Sequence, residues 1–261
     1  MNIRNLEIVK VEDNINKDKF ADVLSTLESL ELIGKDYDDE HESETEWLTA
    51  LFERIVDDKG KPPTIKKLLL YCTLTSINCR LMMKCFNQLD DLFLFSPMLT
   101  SDQTLFFFKC TAVQTNLRKI EFHDWNLEHV EPELIARVCT IMEKVVIGNS
   151  IDIRDEQIEE LLSKLNDDTK LKHLELYVDI SRVDPDILAR GVNHLEKVCL
   201  RYTELTKIQI EKILSQTLKS SKLKYLDIRD NKNVEHFLNM LADVKKKVPV
   251  VIDKVDPGFV L

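Results

Sequence analysis

Glycine is scarce: five in 261 residues, at positions 34, 60, 148, 191 and 258, with no two closer than 26 residues. A loop that cradles phosphate needs clustered glycines so that the backbone can approach the ligand, and none can be written here. The six cysteines form no C-x-x-C pair, and none lies near two histidines at zinc-finger spacing, which argues against a structural metal. Long apolar runs are missing too. No uncharged stretch approaches the ~20 residues that span a bilayer, and the residues from Met1 to Ile15 alternate charge with aliphatics, unlike a signal peptide. Basic residues are outnumbered, 36 against 46 acids, so the chain lacks the positive footprint of a duplex nucleic-acid binder. These absences predict a reduced, soluble, cytoplasmic protein with no cofactor, no nucleic-acid partner and no membrane partner.

What is present is a repeat. Leu171-Lys-His-Leu-Glu-Leu176, Leu195-Glu-Lys-Val-Cys-Leu200 and Leu223-Lys-Tyr-Leu-Asp-Ile228 share the pattern apolar-x-x-apolar-x-apolar. It recurs from residues 3, 27, 65, 89, 117 and 142, with a degraded last copy at Lys247–Ile252. Steps of 24–25 alternate with steps of 28–29, apart from one of 38 between Leu27 and Ile65. Longer stretches return as well: Val130-Glu-Pro-Glu-Leu-Ile-Ala-Arg137 reappears 53 residues later as Val183-Asp-Pro-Asp-Ile-Leu-Ala-Arg190. A fixed period of this size marks a stacked-coil architecture.

Each motif has period 2 at its end, as a strand buried on one face requires. Between motifs the period turns helical, as in Ile158, Leu161, Leu162 and Leu165. Thr100-Ser-Asp-Gln103 and Thr206-Lys-Ile-Gln209 read as capping boxes. In Val130-Glu-Pro132 and Val183-Asp-Pro185 a carboxylate at the N-cap precedes proline at the first helical position, where the missing N–H costs nothing.

These residues resemble the ribonuclease-inhibitor-like class of leucine-rich repeats, which alternates two repeat types of about this length over nearly the whole chain. The resemblance implies an α/β leucine-rich-repeat solenoid, a horseshoe with a parallel sheet on its concave face and helices on its convex face. One domain, 1–261, of about ten repeats is expected. The excess in the long step coincides with an acidic insertion at 36–46, seven acids with no Lys or Arg, read as a surface loop. Without those seven, 39 acids face 36 bases, a net of −3, so the charge of −10 marks one place. A strand motif begins at Ile3 and another ends at Ile252, so a piece of a longer array, or self-association through uncapped ends, is expected.

Alternate motif residues face the concave side and form the candidate partner-binding surface. They are Leu69, Tyr71, Phe93 and Phe95 at an apolar and aromatic centre, flanked by Glu121, His123, Glu175, Tyr177, Arg201, Asp227 and Arg229. Glu7, Glu31, Ile33, Val146, Gly148 and Cys199 share the face. Aromatics ringed by polar groups compose protein-binding hot spots; the competing reading is rings that merely cover one another across strands. No catalytic residue is assigned, since His123 and Asp124 point to opposite faces with no nucleophile nearby. Cys199 beside Arg201 could form a reactive thiol, though a small residue in a tight sheet is the simpler expectation. The partner is therefore another protein, and the function a non-enzymatic interaction module. The resemblance also allows a small-GTPase regulator of the GTPase-activating type, or the sensor or recruiting fragment of an innate receptor or ubiquitin ligase.

Overall fold

A computed structural model describes residues 4–9, 27–33, 42–56, 64–95, 97–148, 152–219 and 222–252. The chain forms two compact units, Met1–Val130 and Glu131–Leu261. The first carries strands β1 (Asn5–Val9), β2 (Ser29–Ile33), β3 (Lys67–Tyr71), β4 (Asp91–Phe95) and β5 (Lys119–His123), with helices α1 (Glu42–Val56), α2 (Cys79–Phe86) and α3 (Ser101–Val113). The second carries β6 (Lys144–Ile147), β7 (His173–Leu176), β8 (Lys197–Leu200), β9 (Tyr225–Asp227) and β10 (Val250–Val251). Its helices are α4 (Pro132–Thr140), α5 (Asp155–Lys164), α6 (Pro185–Asn193), α7 (Lys207–Lys219) and α8 (Leu238–Lys245), the last preceded by a short 3₁₀ turn, Val234–Phe237.

Within each unit every strand pairs in parallel with the next in sequence, and the register aligns the motifs residue for residue. Leu30 lies opposite Leu68, Leu68 opposite Leu92, and Leu92 opposite Ile120. The alternating pattern has its consequence here. Leu30, Leu32, Leu68, Leu70, Leu92, Leu94, Ile120 and Phe122 are at most 1% exposed beneath the helices, while the residues between them face away. The period also appears in the backbone: the carbonyls of Arg4, Glu28, Lys66, Lys172 and Glu196 each accept two successive N–H groups from the following coil. Parallel strands need such crossovers, and a strand with one helix buries its apolar face only against neighbouring coils.

Both units are filled according to their sequences. In the first, an edge-to-face chain runs from Phe52 of α1 to Phe86 of α2 and Phe107 of α3 (centroids 5.8 and 6.3 Å apart), then to Trp125 at 5.2 Å. Phe108 stacks on Phe122 at 5.6 Å, and Phe106 alone of that run is partly exposed. Trp125 fills the corner after β5 as expected, but Trp47 lies within helix α1, its side chain buried. The second unit is aliphatic, and its helices approach more closely. A Cβ on Gly191 of α6 would lie 2.9 Å from Leu162 Cβ and 3.1 Å from the Leu162 carbonyl oxygen of α5. Helix propensity alone predicts that Gly191→Ala stabilises by roughly 0.5–1 kcal/mol. Because the contact involves backbone and Cβ atoms that cannot swing away, we expect the opposite sign, a loss of about 1–2 kcal/mol in equilibrium urea unfolding.

Of the four helix starts read from the sequence, three are capped by the expected side chains. Thr100 and Gln103 form the full capping box, and Thr206 pairs with Gln209 in the same manner. Asp184 accepts hydrogen bonds from the Asp186 and Ile187 N–H groups. Glu131 makes no such bond, although proline follows it as in the sister repeat. Its extra methylene carries the carboxylate past the N–H groups that an aspartate reaches. The acidic insertion is likewise more structured than a loop. Residues 36–41 lie outside the described residues, but the backbone of residues 42–46 is the opening of α1.

Candidate functional site

Two rows of side chains stand on the helix-free face of the first unit. One row holds Glu7, Glu31, Leu69, Phe93 and Glu121; the other holds Ile33, Tyr71, Phe95 and His123. In the second row the rings form a ladder: Tyr71 stacks on Phe95 at 4.2 Å and 5°, and Phe95 on His123 at 4.3 Å and 13°. The parallel register imposes this, because equivalent positions on adjacent strands lie about 4.8 Å apart, close to ring-stacking distance. Phe93, by contrast, carries the Lys67 ammonium 5.0 Å from its centroid. The rings are half-buried rather than open, so the stacking expected as the competing reading exists beside the apolar surface. Burial raises the Tyr71 phenol above its ordinary range, and Glu31, Glu121 and Glu7 raise it further. Three carboxylates therefore act on one hydroxyl.

The helix-free face of the second unit is different in kind, because its charges are internally matched. Glu175 accepts hydrogen bonds from the Tyr177 hydroxyl at 2.7 Å and pairs with Lys144 at 2.9 Å and His173 at 3.0 Å. The His173 bond, with those of Tyr177 and Lys144, holds the Glu175 carboxyl at about 2 against the pull of burial. The Tyr177 phenol is pushed up by burial and by its bond to Glu175. Arg201 forks onto Asp230 through two nitrogens at 3.0 and 2.9 Å, and its guanidinium lies 5.3 Å from the Tyr202 ring. Arg229 clamps Asp227 at 2.6 Å. Burial would raise the Asp227 carboxyl, but the Arg229 side-chain and backbone hydrogen bonds outweigh it and hold the group low.

Several sequence expectations change in consequence. Asp227 is 2% exposed, so it is an internal counter-ion of Arg229 and not a carboxylate offered to a partner. Val146, Gly148 and Cys199 are buried as well. The Cys199 thiol donates toward the Tyr177 hydroxyl at 3.6 Å, and burial pushes it up to about 11, the reverse of a reactive thiolate. His123 is stacked on Phe95 and faces Glu121 at 3.6 Å, too long for a hydrogen bond, while Asp124 leaves the strand at φ 56°. The two are not brought together as an acid–base pair. Leu69, Tyr71, Phe93, Phe95, Glu121, His123, Glu175, Tyr177, Arg201 and Arg229 remain partly exposed on the predicted face.

Among the buried amides that escaped sequence reading are Gln103, Gln209 and Asn231. Gln103 Nε2 donates to the carbonyls of Leu74, Thr75 and Ile77 in the preceding coil, and Gln209 Nε2 donates to those of Ile180 and Val183. Asn231, 6% exposed, donates to the Leu200, Ile228 and Arg229 carbonyls and accepts from Thr203 Oγ1 and the Leu205 N–H. The glutamines were visible as capping-box partners, but their second role depends on the stacking distance between coils. Among the described residues, no group of His, Cys, Asp and Glu could hold a metal ion, and no helix is long and apolar enough to cross a membrane.

No family model and no curated protein matches the chain. Solved structures do. The chain is similar to the leucine-rich repeat-containing protein LegL7 from Legionella pneumophila, at 13% identity and a TM-score of 0.55, over 99% of this chain and 87% of that one. At that identity the likeness concerns architecture alone. Together with strands and helices that alternate coil by coil in both units, it identifies a leucine-rich-repeat fold.

Proposed function

We propose that the chain is a protein-interaction module that grips a partner on the helix-free face of its sheet. The observation that carries this reading is the patch of large apolar side chains on β3 and β4, Leu69, Tyr71, Phe93 and Phe95, left half-buried on a face with no helix to cover them. Adjacent exposed aromatics cost solubility, and a partner that covers them gains their apolar area. Phe93 has no ring partner across its strand, since Leu69 and Glu121 lie opposite it, and its ring meets only the Lys67 ammonium among the described ring and cation contacts. We read the chain as one array of about ten repeats, because the motif spacing of 24–25 and 28–29 residues runs on unbroken from residue 65 to 247. That alternation supports the ribonuclease-inhibitor-like type. The partner is another protein, no chemistry is assigned to the chain, and cytoplasmic residence is part of the same reading.

Replacing Phe93 and Phe95 by alanine is expected to lower partner capture from a lysate of the source cells at least tenfold, with an unchanged circular dichroism spectrum. Capture that survives the double substitution would sink the sheet-face reading.

A further inference from the structure

The rim of the second unit where helices hand over to strands carries a row of cations that the fold does not explain. Counting back from the paired strands β7 to β10, Lys170, His194, Lys222 and Lys246 hold the same place in four successive coils, just before each motif. Thr64, Gln88 and Asn116 hold that place in the first unit. Equivalent places in neighbouring coils lie about 4.8 Å apart, and like charges directly opposed at that spacing are destabilising. Two residues further on, Lys172 and Lys224 flank Glu196, and Lys197 follows it. Glu196 pairs with Lys224 at 2.7 Å and interacts with Lys172 and Lys197 as well, so one carboxylate serves three cations. Asp167 serves two, Lys222 at 2.7 Å and His194 at 3.1 Å. Among the described residues, Lys170, Lys172 and Lys197 form no ion pair, and all three are exposed. Lysines at helix ends meet the negative end of the dipole, which accounts for Lys164, Lys219 and Lys245. It does not account for Lys170, Lys172, Lys197, Lys222 and Lys224, which lie outside every helix.

We propose that this rim is a docking surface for a second copy of the chain, and that it receives the acidic segment Asp36–Glu46 of that copy. The segment carries seven acids and no Lys or Arg, so its charge is complementary to a rim where cations outnumber carboxylates. The two units differ in the same sense: 23 acids face 15 bases in Met1–Val130, and 23 face 21 in Glu131–Leu261. Reach is sufficient. Residues 36–41 span at most about 20 Å at ~3.3 Å per residue, and three coil steps at ~4.8 Å span about 14 Å. Lysine suits such a ligand, because it presents a mobile point charge where arginine presents a fixed fork, and none of the rim cations outside the helices is arginine. The inference does not rest on the aromatic patch of the first unit.

Sedimentation velocity of the full chain tests it. Wild type is expected to associate with rising concentration at about 0.05 M salt, and the association constant to fall at least tenfold by about 0.3 M, where exposed charges are screened. K170E/K172E/K197E reverses the rim, and D38K/D39K/E40K reverses the segment. Each variant alone should be monomeric, with an unchanged circular dichroism spectrum. Mixed one to one they should associate again, because each reversed surface then meets its complement. Where circular dichroism shows a reversed variant unfolded, K170Q/K172Q/K197Q replaces it and should lower the wild-type association constant at least fivefold; no change overturns the proposal. A wild-type chain that stays monomeric at every concentration overturns it, as does a mixture of folded variants that fails to associate. Association that survives K170E/K172E/K197E puts the contact elsewhere and overturns it too. A monomeric wild type that co-sediments with phosphatidylserine vesicles assigns the rim to a lipid surface instead.

Discussion

Asn231→Leu is expected to cost about 4 kcal/mol in equilibrium unfolding, near the upper end of what single substitutions do. Leucine matches asparagine closely in size but removes five hydrogen bonds at once. It strands the carbonyls of Ile228 and Arg229 and the N–H of Leu205 in a site 6% exposed, where water does not replace the lost partners. Each buried polar group left unpaired costs about 1–3 kcal/mol, and relaxation keeps the sum below simple addition. The Leu200 carbonyl suffers less, since Thr203 Oγ1 also donates to it at 3.3 Å. Damage in a stacked array is local, so hydrogen exchange should quicken most in β8 and β9 and least in β6. A loss under about 1 kcal/mol, or protection lost evenly over the second unit, would show that Asn231 does not bind its neighbouring coils together.

The coils themselves were legible because one physical requirement, burying alternate residues of a short strand and one stripe of a helix, repeats ten times in the letters. Asn231 was not, and its neighbours show why. It stands eight residues after its motif begins, and the equivalent places carry Thr73, Pro97, Trp125, Asp179 and Thr203. Each coil closes the turn after its strand with different chemistry: Trp125 by aromatic packing, Thr203 by bonding to Asn231. No pattern survives such variety. The ion pairs of the helix-free face were in principle readable. Residues two apart on a strand share a face, and His173 with Glu175, and Asp227 with Arg229, are opposite charges at that spacing. What the spacing could not reveal is depth. Asp227 and Cys199 occupy the predicted face yet are covered by their neighbours, and only the height of the surrounding side chains decides that. Glu131 failed as a cap for a similar reason of reach, one methylene against Asp184.

The same matched charges make the second unit sensitive to acid. Glu175 is held at about 2 where an unfolded chain would put it near 4.5, by His173 on its own strand, Tyr177 beyond it and Lys144 from β6. Its other contact from β8 is indirect, through the Cys199 thiol on Tyr177. A carboxyl whose folded value is depressed stabilises the fold fully above the unfolded value, and the gain disappears as pH falls through the folded one. The window therefore runs from about pH 4.5 down to about 2. A difference of that size corresponds to about 3 kcal/mol, and with some solvent still reaching the side chain we expect about 2–3 kcal/mol. Glu175→Gln keeps the shape and removes the titration. At pH 7 the variant should be less stable by that amount, with the gap to wild type narrowing steadily below pH 4.5 and closing near pH 2. Asp227, also held low, is present in both proteins and cancels in the comparison. Urea midpoints measured across this range decide the matter: a gap that stays constant with pH would mean that Glu175 contributes packing and not charge.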